Sequence, residues 1–452
     1  MQIAQINLKQ NPSFKNGFYN VTRELDSSVM LSRAVVDMFG CCIPWLIFAN
    51  NNTERKEKAR KFSFEYTMAW LSPFITLPFI NRLSMRYIGK LTKNFWLNNH
   101  KAIHISNEYL KNTNLMMKEL EKISKKTTRG PIEKLFNKCF PNKKYEQKIN
   151  ISELLNSCNG DKEKLRQKLI KAKCSVFTID FLLTTLAMGA FPFINNEITQ
   201  KSSGQTGFSA EMSMANKEII EKRANNYEKT KRKRFRTFVG ITCASTILTS
   251  LIGFAPLISK NSSRIVNSLK NNSKLFDYNK GIYMSRLPLA IVVGLSSLGF
   301  ILFARNRTEQ KDLAIRNTIG YSVFFGGDLI LSSLFTNISD RVFGTKLRKE
   351  SGNKSVINKI FPKIKSVEQI IKEIEQGKLS KINKKVAAGI FWSDMLLLMC
   401  TMGYVVPTAI NKMIKNDVEK DVQAKDKNNI ASTKTAITKP TRMEDFINHK
   451  PH

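Results

Sequence analysis

The chain has 452 residues, with 73 Lys and Arg against 36 Asp and Glu, which gives a formal net charge of +37. Its mean hydropathy of −0.26 is typical of a soluble protein, but apolar runs of about 20 residues alternate with segments rich in Lys and Asn. Runs of that length match the helix that crosses a bilayer. A wholly soluble protein is therefore excluded, and we predict an all-α, polytopic membrane bundle.

The net charge has two interpretations. The basic residues either are spread over every loop because of the Lys-rich composition, or form a patch for anionic lipid. They are not interleaved with exposed aromatic residues as on a nucleic-acid-binding surface, so no nucleic-acid partner is expected.

Seven apolar runs are expected to cross the membrane. Their approximate ranges are 28–49, 64–81, 175–196, 237–259, 284–304, 318–338 and 388–411. Residues 1–27 are polar and lack a charged start followed by a short apolar run, so no cleaved signal peptide is expected.

The first run carries Arg33 and Asp37, which are four residues apart. This spacing places both on one helix face as an ion pair. Such a pair costs less in lipid than either charge alone and is better tolerated facing other helices. Both residues are therefore candidates for an ion or solute pathway.

The stretch LIFANNNTERKEKARK, 46–61, recurs 255 residues later as ILFARNRTEQKDLAIR, 301–316, with seven identical positions. The repeat indicates an internal duplication. Thr53 and Glu54 look like a helix start, in which a hydroxyl and a carboxylate satisfy free N–H groups. The alternative is a gating or substrate-contact loop. The residues in question are Asn51, Thr53 and Glu54 and their counterparts Asn306, Thr308 and Glu309.

The second run and its counterpart 318–338 both contain helix-breaking residues. The first has Pro73 and Pro78, and the second has Gly326 and Gly327 followed by Asp328. Interrupted helices at matching positions of two repeats point to the central site of a transporter. Ordinary kinked helices that pack through small residues are the alternative.

The third and seventh runs also match, 214 residues apart, and each contains a carboxylate, Asp180 or Asp394. A carboxylate within a span is costly unless it is paired or hydrated, and such groups often mark ion pathways. The alternative is that both lie near the interface and pair with Lys173 or Lys385. A further matched block, 137–141 with 358–362, lies in two polar helical inserts.

These matches predict three spans, a linker span and three spans. The expected divisions are a polar segment 1–27, a first repeat 28–196 with insert 103–173, a linker 197–259 with the unpaired span 237–259, a second repeat 284–411 with insert 347–385, and a disordered basic tail 413–452. The cluster Lys231–Arg236 precedes the linker span and is expected in the cytoplasm.

The number of crossings determines how the two copies are related. If all seven runs cross, four crossings separate equivalent points and the copies are parallel. If the interrupted runs are re-entrant, three crossings separate them and the copies are inverted. Irregular backbone at membrane depth would then have to line a cavity or be buried in protein.

Motifs of known enzymes are missing from the sequence. It contains no Walker A loop, no G-x-G-x-x-G and no G-x-S-x-G, and neither a cofactor nor a metal is expected. We predict a protein that moves a small solute, ion or lipid between duplicated halves. The alternative is a membrane scaffold or lipid-associated protein whose basic inserts, together with Lys231–Arg236, bind partners or anionic lipid.

Overall fold

The fold is taken from a computed structural model of the chain. The structure describes residues 14–26, 29–68, 72–91, 105–125, 151–204, 206–214, 217–259, 263–279, 283–348, 364–420 and 423. Residues 413–420 of the expected disordered tail are instead the end of a helix that runs to Lys420, because Ile414 and Val418 are buried against the bundle. The rest of the tail, apart from residue 423, and the matched block 137–141/358–362 lie outside the described residues.

The described part of the chain is almost entirely helical, with one hairpin of two-residue strands. Its α-helices are α1 (Phe14–Asp26), α2 (Val29–Val36), α3 (Ile43–Ile47), α4 (Asn52–Tyr66), α5 (Ser72–Leu83), α6 (Thr113–Lys125), α7 (Ile151–Asn156), α8 (Lys162–Ser203), α9 (Lys217–Ile258), α10 (Arg264–Asn271), α11 (Arg286–Leu302), α12 (Arg307–Ser322), α13 (Asp328–Val342), α14 (Val367–Glu375) and α15 (Lys381–Cys400). The strands are β1 (Tyr278–Asn279) and β2 (Tyr283–Met284), which pair antiparallel.

Several α-helices are joined by π-helical or 3₁₀ turns. The π-helical segments are Asp37–Cys42, Ser84–Ile88, Val323–Gly327 and Thr401–Val405, and the 3₁₀ turns are Tyr109–Lys111, Ser209–Glu211 and Ser273–Leu275. Because a π-turn accommodates one extra residue without ending the helix, α2 continues through Asp37–Cys42 into α3.

Four continuous helices in the described residues are long and apolar enough to cross a membrane: Lys162–Ser203, Lys217–Ile258, Arg307–Val342 and Lys381–Lys420. They contain the expected runs 175–196, 237–259, 318–338 and 388–411. The all-α membrane class is therefore supported by length and composition.

The other three expected runs are less clear. Residues 29–47 are helical throughout but are not among the four long apolar helices. Helix α11 is apolar but has only 17 residues. The run 64–81 is described in two pieces, on either side of 69–71.

The third expected run and the end of the first insert form one helix, α8. Asp161 caps it by accepting hydrogen bonds from the N–H groups of Glu163 and Lys164, and Gly204 ends it in the left-handed conformation at φ 66°. Aspartate suits this position, because a short side chain with an acceptor satisfies free N–H groups at the first turn.

The first insert packs into the largest apolar cluster of the described residues. Leu110 and Leu120 of the insert are fully buried with Leu165 and Leu169 on the first half of α8. In the second insert, Val367 and Ile370 of α14 are buried with Leu347 and with Ala387 of α15, and a reciprocal capping box of Ser366 and Gln369 begins α14. Both inserts therefore continue the packed bundle.

Lys173, at the junction of insert and apolar run, is completely buried. Its Nζ lies 2.6 Å from Asp277 Oδ1, and Asp277 Oδ2 also accepts hydrogen bonds from Ser106 Oγ and Asn107 N. One carboxylate thus connects α8, the first insert and the segment before β1.

We predict that Asp277→Asn lowers the free energy of unfolding by about 3 kcal/mol, because it leaves a buried ammonium without its counter-charge. Denaturation in detergent micelles measures this loss. The control is Glu368→Gln, which breaks a mostly exposed pair with Lys372 and should cost no more than about 0.5 kcal/mol. Equal effects of the two substitutions would contradict the prediction.

Candidate functional site

The two copies of the repeated stretch begin helices α4 and α12 with the same hydrogen bonds. Asn51 Oδ1 accepts from Glu54 N at 2.8 Å, and Asn306 Oδ1 accepts from Glu309 N at 2.9 Å. The helix-start interpretation therefore fits the structure. The capping group is the asparagine amide, however, and not the expected threonine hydroxyl.

The glutamate of each stretch reaches back to the residue before the cap. Glu54 Oε2 accepts from Asn50 N, and Glu309 Oε2 accepts from Arg305 N, both at 2.6 Å. Free N–H groups on both sides of the cap are thereby satisfied.

The two stretches contact each other through Arg305. Its side chain is only 2% exposed, and its Nη2 lies 2.8 Å from Glu57 Oε1 and 2.7 Å from Glu309 Oε1. Although burial lowers it, the carboxylates of Glu309 and Glu57 together raise the pKa of Arg305 above its ordinary value. The guanidinium is therefore a permanent charge that links the stretch 46–61 to the stretch 301–316.

The linker segment 206–214 packs against both stretches. Asn51 Nδ2 donates to Ser209 O at 2.7 Å, and Asn306 Nδ2 donates to Glu211 Oε2 at 3.0 Å. The guanidinium of Arg305 lies 5.7 Å from the ring centre of the buried Phe208. Each capping amide thus fixes the linker as well as its own helix.

Glu211 is completely buried in this assembly. Burial raises its pKa, Arg223 at 2.7 Å opposes this, Glu309 adds to the rise, and the resulting pKa is about 7. The two threonines of the repeat do not play the same role, since Thr308 accepts a hydrogen bond from Arg223 at 2.9 Å, whereas no such bond involves Thr53 among the described residues.

Further contacts across the molecule come in matched pairs. Asn196 Nδ2 donates to Phe303 O at 2.9 Å, and Asn411 Nδ2 donates to Phe48 O at 3.1 Å. In each case an asparagine at the end of an apolar run of one repeat bonds to the phenylalanine carbonyl in the repeated stretch of the other repeat.

Glycines allow helix backbones to approach closely at two helix crossings, one near each of these asparagine–carbonyl bonds. Gly299 of α11 lies against the backbone of Gly189 in α8, and Gly403 lies against Gly40 and the ring of Pro44, so that a Cβ at either Gly299 or Gly403 would overlap its neighbours. Small residues at these crossings are typical of packed membrane helices.

The two aspartates from the matched runs have different surroundings. Asp180 is buried, and its Oδ2 accepts a hydrogen bond from Tyr278 Oη at 3.0 Å. Lys173, the expected partner, instead bonds to Asp277. Asp394 is equally buried but lines a cavity.

That cavity, called here the large cavity, has a volume of about 850 Å³. It lies between α2, α13 and α15, and residues 364–367 of the second insert line one part of it. Its polar lining includes Arg33, Arg286, Ser333, Thr336 and Asp394.

A second cavity, the inner cavity, has a volume of about 140 Å³ and shares Arg33 and Phe324 with the large one. Asp37, Lys61, Glu65 and Arg316 line it. It is therefore surrounded by residues of both halves of the chain.

Arg33 and Phe324 line both cavities. Arg33 Nε lies 3.2 Å from Asp37 Oδ2, which is the ion pair expected from their spacing. The guanidinium carbon lies 4.6 Å from the ring centre of Phe324. A cation stacked on an aromatic face thus lies where the two cavities adjoin.

The glycine pair of the run 318–338 has a milder effect than the sequence suggests. Gly326 and Gly327 lie in the π-turn Val323–Gly327, within a helix that continues from Arg307 to Val342. Pro73 is the second residue of α5, and Pro78 lies inside it. Asp328 begins α13, but its side chain lies outside the described residues.

The basic cluster Lys231–Arg236 is partly used inside the protein. Lys231 pairs with Glu197 at 2.6 Å, and Arg234 Nη1 donates to the carbonyls of Leu302 and Ala304 at the end of α11. Arg232, Lys233 and Arg236 are exposed.

Within the described ranges, no group of three or more His, Cys, Asp or Glu side chains is arranged to hold a metal ion. No protein family, no curated protein and no solved structure matches the chain. The site must therefore be interpreted from its own geometry.

Sequence reasoning missed Arg305, Glu57, Glu211 and Tyr278. Arg305 lies in the repeat, but its counterpart is Asn50, so identity between the copies does not single it out. Tyr278 lies in the two-residue strand β1 and Glu211 in a 3₁₀ turn, and both elements are too short to show a sequence pattern.

We predict that Glu211 makes stability depend on pH. The raised pKa means that the folded protein favours the neutral acid of Glu211. The contribution of this group to the free energy of unfolding is therefore complete below pH ~4.5 and is lost as the pH rises through ~7. The free energy of unfolding should fall by up to ~3 kcal/mol over that range, and Glu211→Gln should remove most of the fall.

Melting temperatures at pH 5 and pH 8 in detergent measure this dependence. Glu221→Gln is the control, because Glu221 is exposed and its partner among the described residues is the exposed Lys217; this variant should keep the wild-type pH dependence. An unchanged pH dependence in Glu211→Gln would contradict the assignment.

Proposed function

We propose that the protein is a duplicated integral membrane protein with three spans, a linker span and three spans. The matched pairs of contacts support the duplication. A cap, an asparagine–carbonyl bond and a close glycine crossing each occur twice, once for each half. A chance resemblance of two short stretches would not be accompanied by equivalent tertiary contacts.

We propose further that the two copies are parallel. The repeated stretches touch each other through Arg305 and Glu57, which favours one end of the bundle for both. An even number of crossings between equivalent points then requires runs 64–81 and 318–338 to cross fully. The apolar helix α11 has 17 residues, or ~26 Å at 1.5 Å per residue, close to the hydrocarbon thickness.

Cysteine labelling tests this arrangement. In a background without native cysteines, Asn52→Cys and Arg307→Cys, at exposed first residues of α4 and α12, should react with an impermeant maleimide from the same side. Lys122→Cys and Lys372→Cys in the two inserts should react from the opposite side. Labelling of Asn52→Cys and Arg307→Cys from different sides would mean inverted copies.

We propose that the function is movement of a small solute, ion or lipid through the two cavities. The observation that carries this proposal is that the large and inner cavities adjoin at Arg33 and Phe324. Charged residues within apolar segments are costly and generally mark a pathway, and here they line both cavities. Displacement of the stacked Arg33 from Phe324 would join the cavities.

The two halves contribute unequally to this pathway. The hydroxyl of Tyr278 occupies the carboxylate of Asp180, whereas Asp394 lines open space. We therefore assign Asp394 to the pathway and Asp180 to packing.

Flux into proteoliposomes tests this assignment. Osmotic light scattering reports entry of small solutes, and dithionite bleaching of a fluorescent lipid reports lipid movement. We expect activity in one of these assays, reduced about tenfold or more by Asp394→Asn, since removal of a charge-assisted contact costs more than 1.4 kcal/mol. Asp180→Asn is the matched control and should stay within about twofold, because its amide oxygen still accepts from Tyr278. Equal losses, or no flux in either assay, would contradict the proposal.

A second function, lipid association, is favoured by the exposed Arg232, Lys233 and Arg236 beside the apolar part of α9. We propose that these three residues meet anionic head groups on the cytoplasmic side. Lys231 and Arg234 contribute less, because their charges already bond to protein groups.

A further inference from the structure

We propose that the large cavity binds a single-chain amphiphile with one carboxylate or phosphate head group, which lies against Arg33. This inference rests on the pathway proposed above and names its ligand class. It follows from the walls of the cavity, from two polar groups without partners and from the position of the carboxylates.

The walls of the large cavity suit a hydrocarbon chain. Half of the lining residues are apolar, and they come from α2, the π-turn before α13, α13, α15 and the second insert; they include Val36, Phe324, Ile330, Val367, Phe391 and Met395. The volume of about 850 Å³ lies in the range of pockets that enclose most of a small-molecule ligand. A small hydrophilic ion would leave most of this surface without a partner.

Arg33 supplies the contact for an anionic head. Its Nε is paired with Asp37 and its face stacks on Phe324, but its buried Nη1 has no hydrogen-bond acceptor among the described residues. A guanidinium stays charged at every physiological pH. A buried donor without an acceptor lowers the stability of the folded protein. A carboxylate or phosphate oxygen would satisfy this donor with a charge-assisted bond.

Thr336 supplies a second polar contact. It lines the same cavity, is completely buried, and its hydroxyl has no partner in the described part of the chain. A hydroxyl usually bonds to a carbonyl one turn earlier when it faces the interior of a helix. The free hydroxyl is therefore available to a polar group inside the cavity.

The acidic residues of the cavity limit the ligand to one anionic group. Asp394 and Asp26 also line the cavity, and Asp26 Oδ2 accepts from Val367 N at 2.8 Å. The basic residues Arg286 and Lys365 in the lining already bond to protein oxygens. Like charges repel strongly in a medium of low dielectric constant, so a second anionic group beside the two aspartates would be repelled. The part of the bound ligand that lies beside these carboxylates is then its apolar chain.

Binding of cis-parinaric acid, a fluorescent fatty acid, to the full-length protein in phosphatidylcholine nanodiscs tests the proposal. We expect saturable binding that is about tenfold or more tighter than that of the methyl ester, which lacks the charge. Arg33→Gln should abolish this preference. Thr336→Val, which keeps the side-chain volume, should weaken binding of the acid about threefold.

Filling the cavity provides a test that does not depend on the charge of Arg33. Thr336→Trp should prevent binding of both acid and ester. Leu334→Trp is the control, because Leu334 lies on the same helix with 52% of its surface exposed and does not line the cavity; binding should be unchanged. Equal affinity for acid and ester, tighter binding of dodecylamine than of the acid, or insensitivity to Thr336→Trp would overturn the proposal.

Competition separates the two sources of the head group. Displacement of the probe by oleate assigns a carboxylate ligand, and preferential displacement by lysophosphatidic acid assigns a phosphate ligand. Binding with these properties but without flux would refute transport and leave the ligand class intact. Flux of a small solute without amphiphile binding would do the reverse.

Discussion

The buried guanidinium of Arg305 is the interaction on which the arrangement of the two halves depends. It bonds to Glu309 on its own helix and to Glu57 on the other repeated stretch. A buried cation is costly unless it is fully paired, so the position of each stretch is tied to the other. The linker segment is fixed by the same assembly, because Asn51 and Asn306 both bond to it.

This assembly holds similar stretches whose surroundings differ. The caps are equivalent, but the cross-link is not, since Arg305 has the neutral Asn50 as its counterpart. The same divergence is seen at the paired aspartates: Tyr278 fills the space beside Asp180, while Asp394 lines a cavity of about 850 Å³. In the duplication that we propose, the aspartate of one copy is thus used in packing, and the aspartate of the other lines open volume.

Local features could be predicted from the sequence, and tertiary partners could not. Spacing within a few residues is enough to predict the helix starts in both repeated stretches and the ion pair of Arg33 with Asp37. The cap at Asp161 is a local feature of the same kind. The sequence favours the threonine of each repeated stretch as the cap, whereas the asparagine forms it, because both residue types suit that turn. Lys173 was expected near Asp180, but seven residues along a helix span about 10 Å, and Asp277, more than a hundred residues away, is the partner. The glycine pair Gly326–Gly327 does not interrupt its helix, because a π-turn accommodates both residues without ending the helix.

A double-mutant cycle between Glu57 and Arg305 tests the central claim most directly. The free energy of unfolding is measured in detergent for the wild type, Glu57→Gln, Arg305→Gln and the double variant. If the two repeated stretches are joined by this buried pair, the coupling energy should be about 1.5 kcal/mol or more. Additive effects, with a coupling energy below about 0.3 kcal/mol, would contradict direct contact between the stretches.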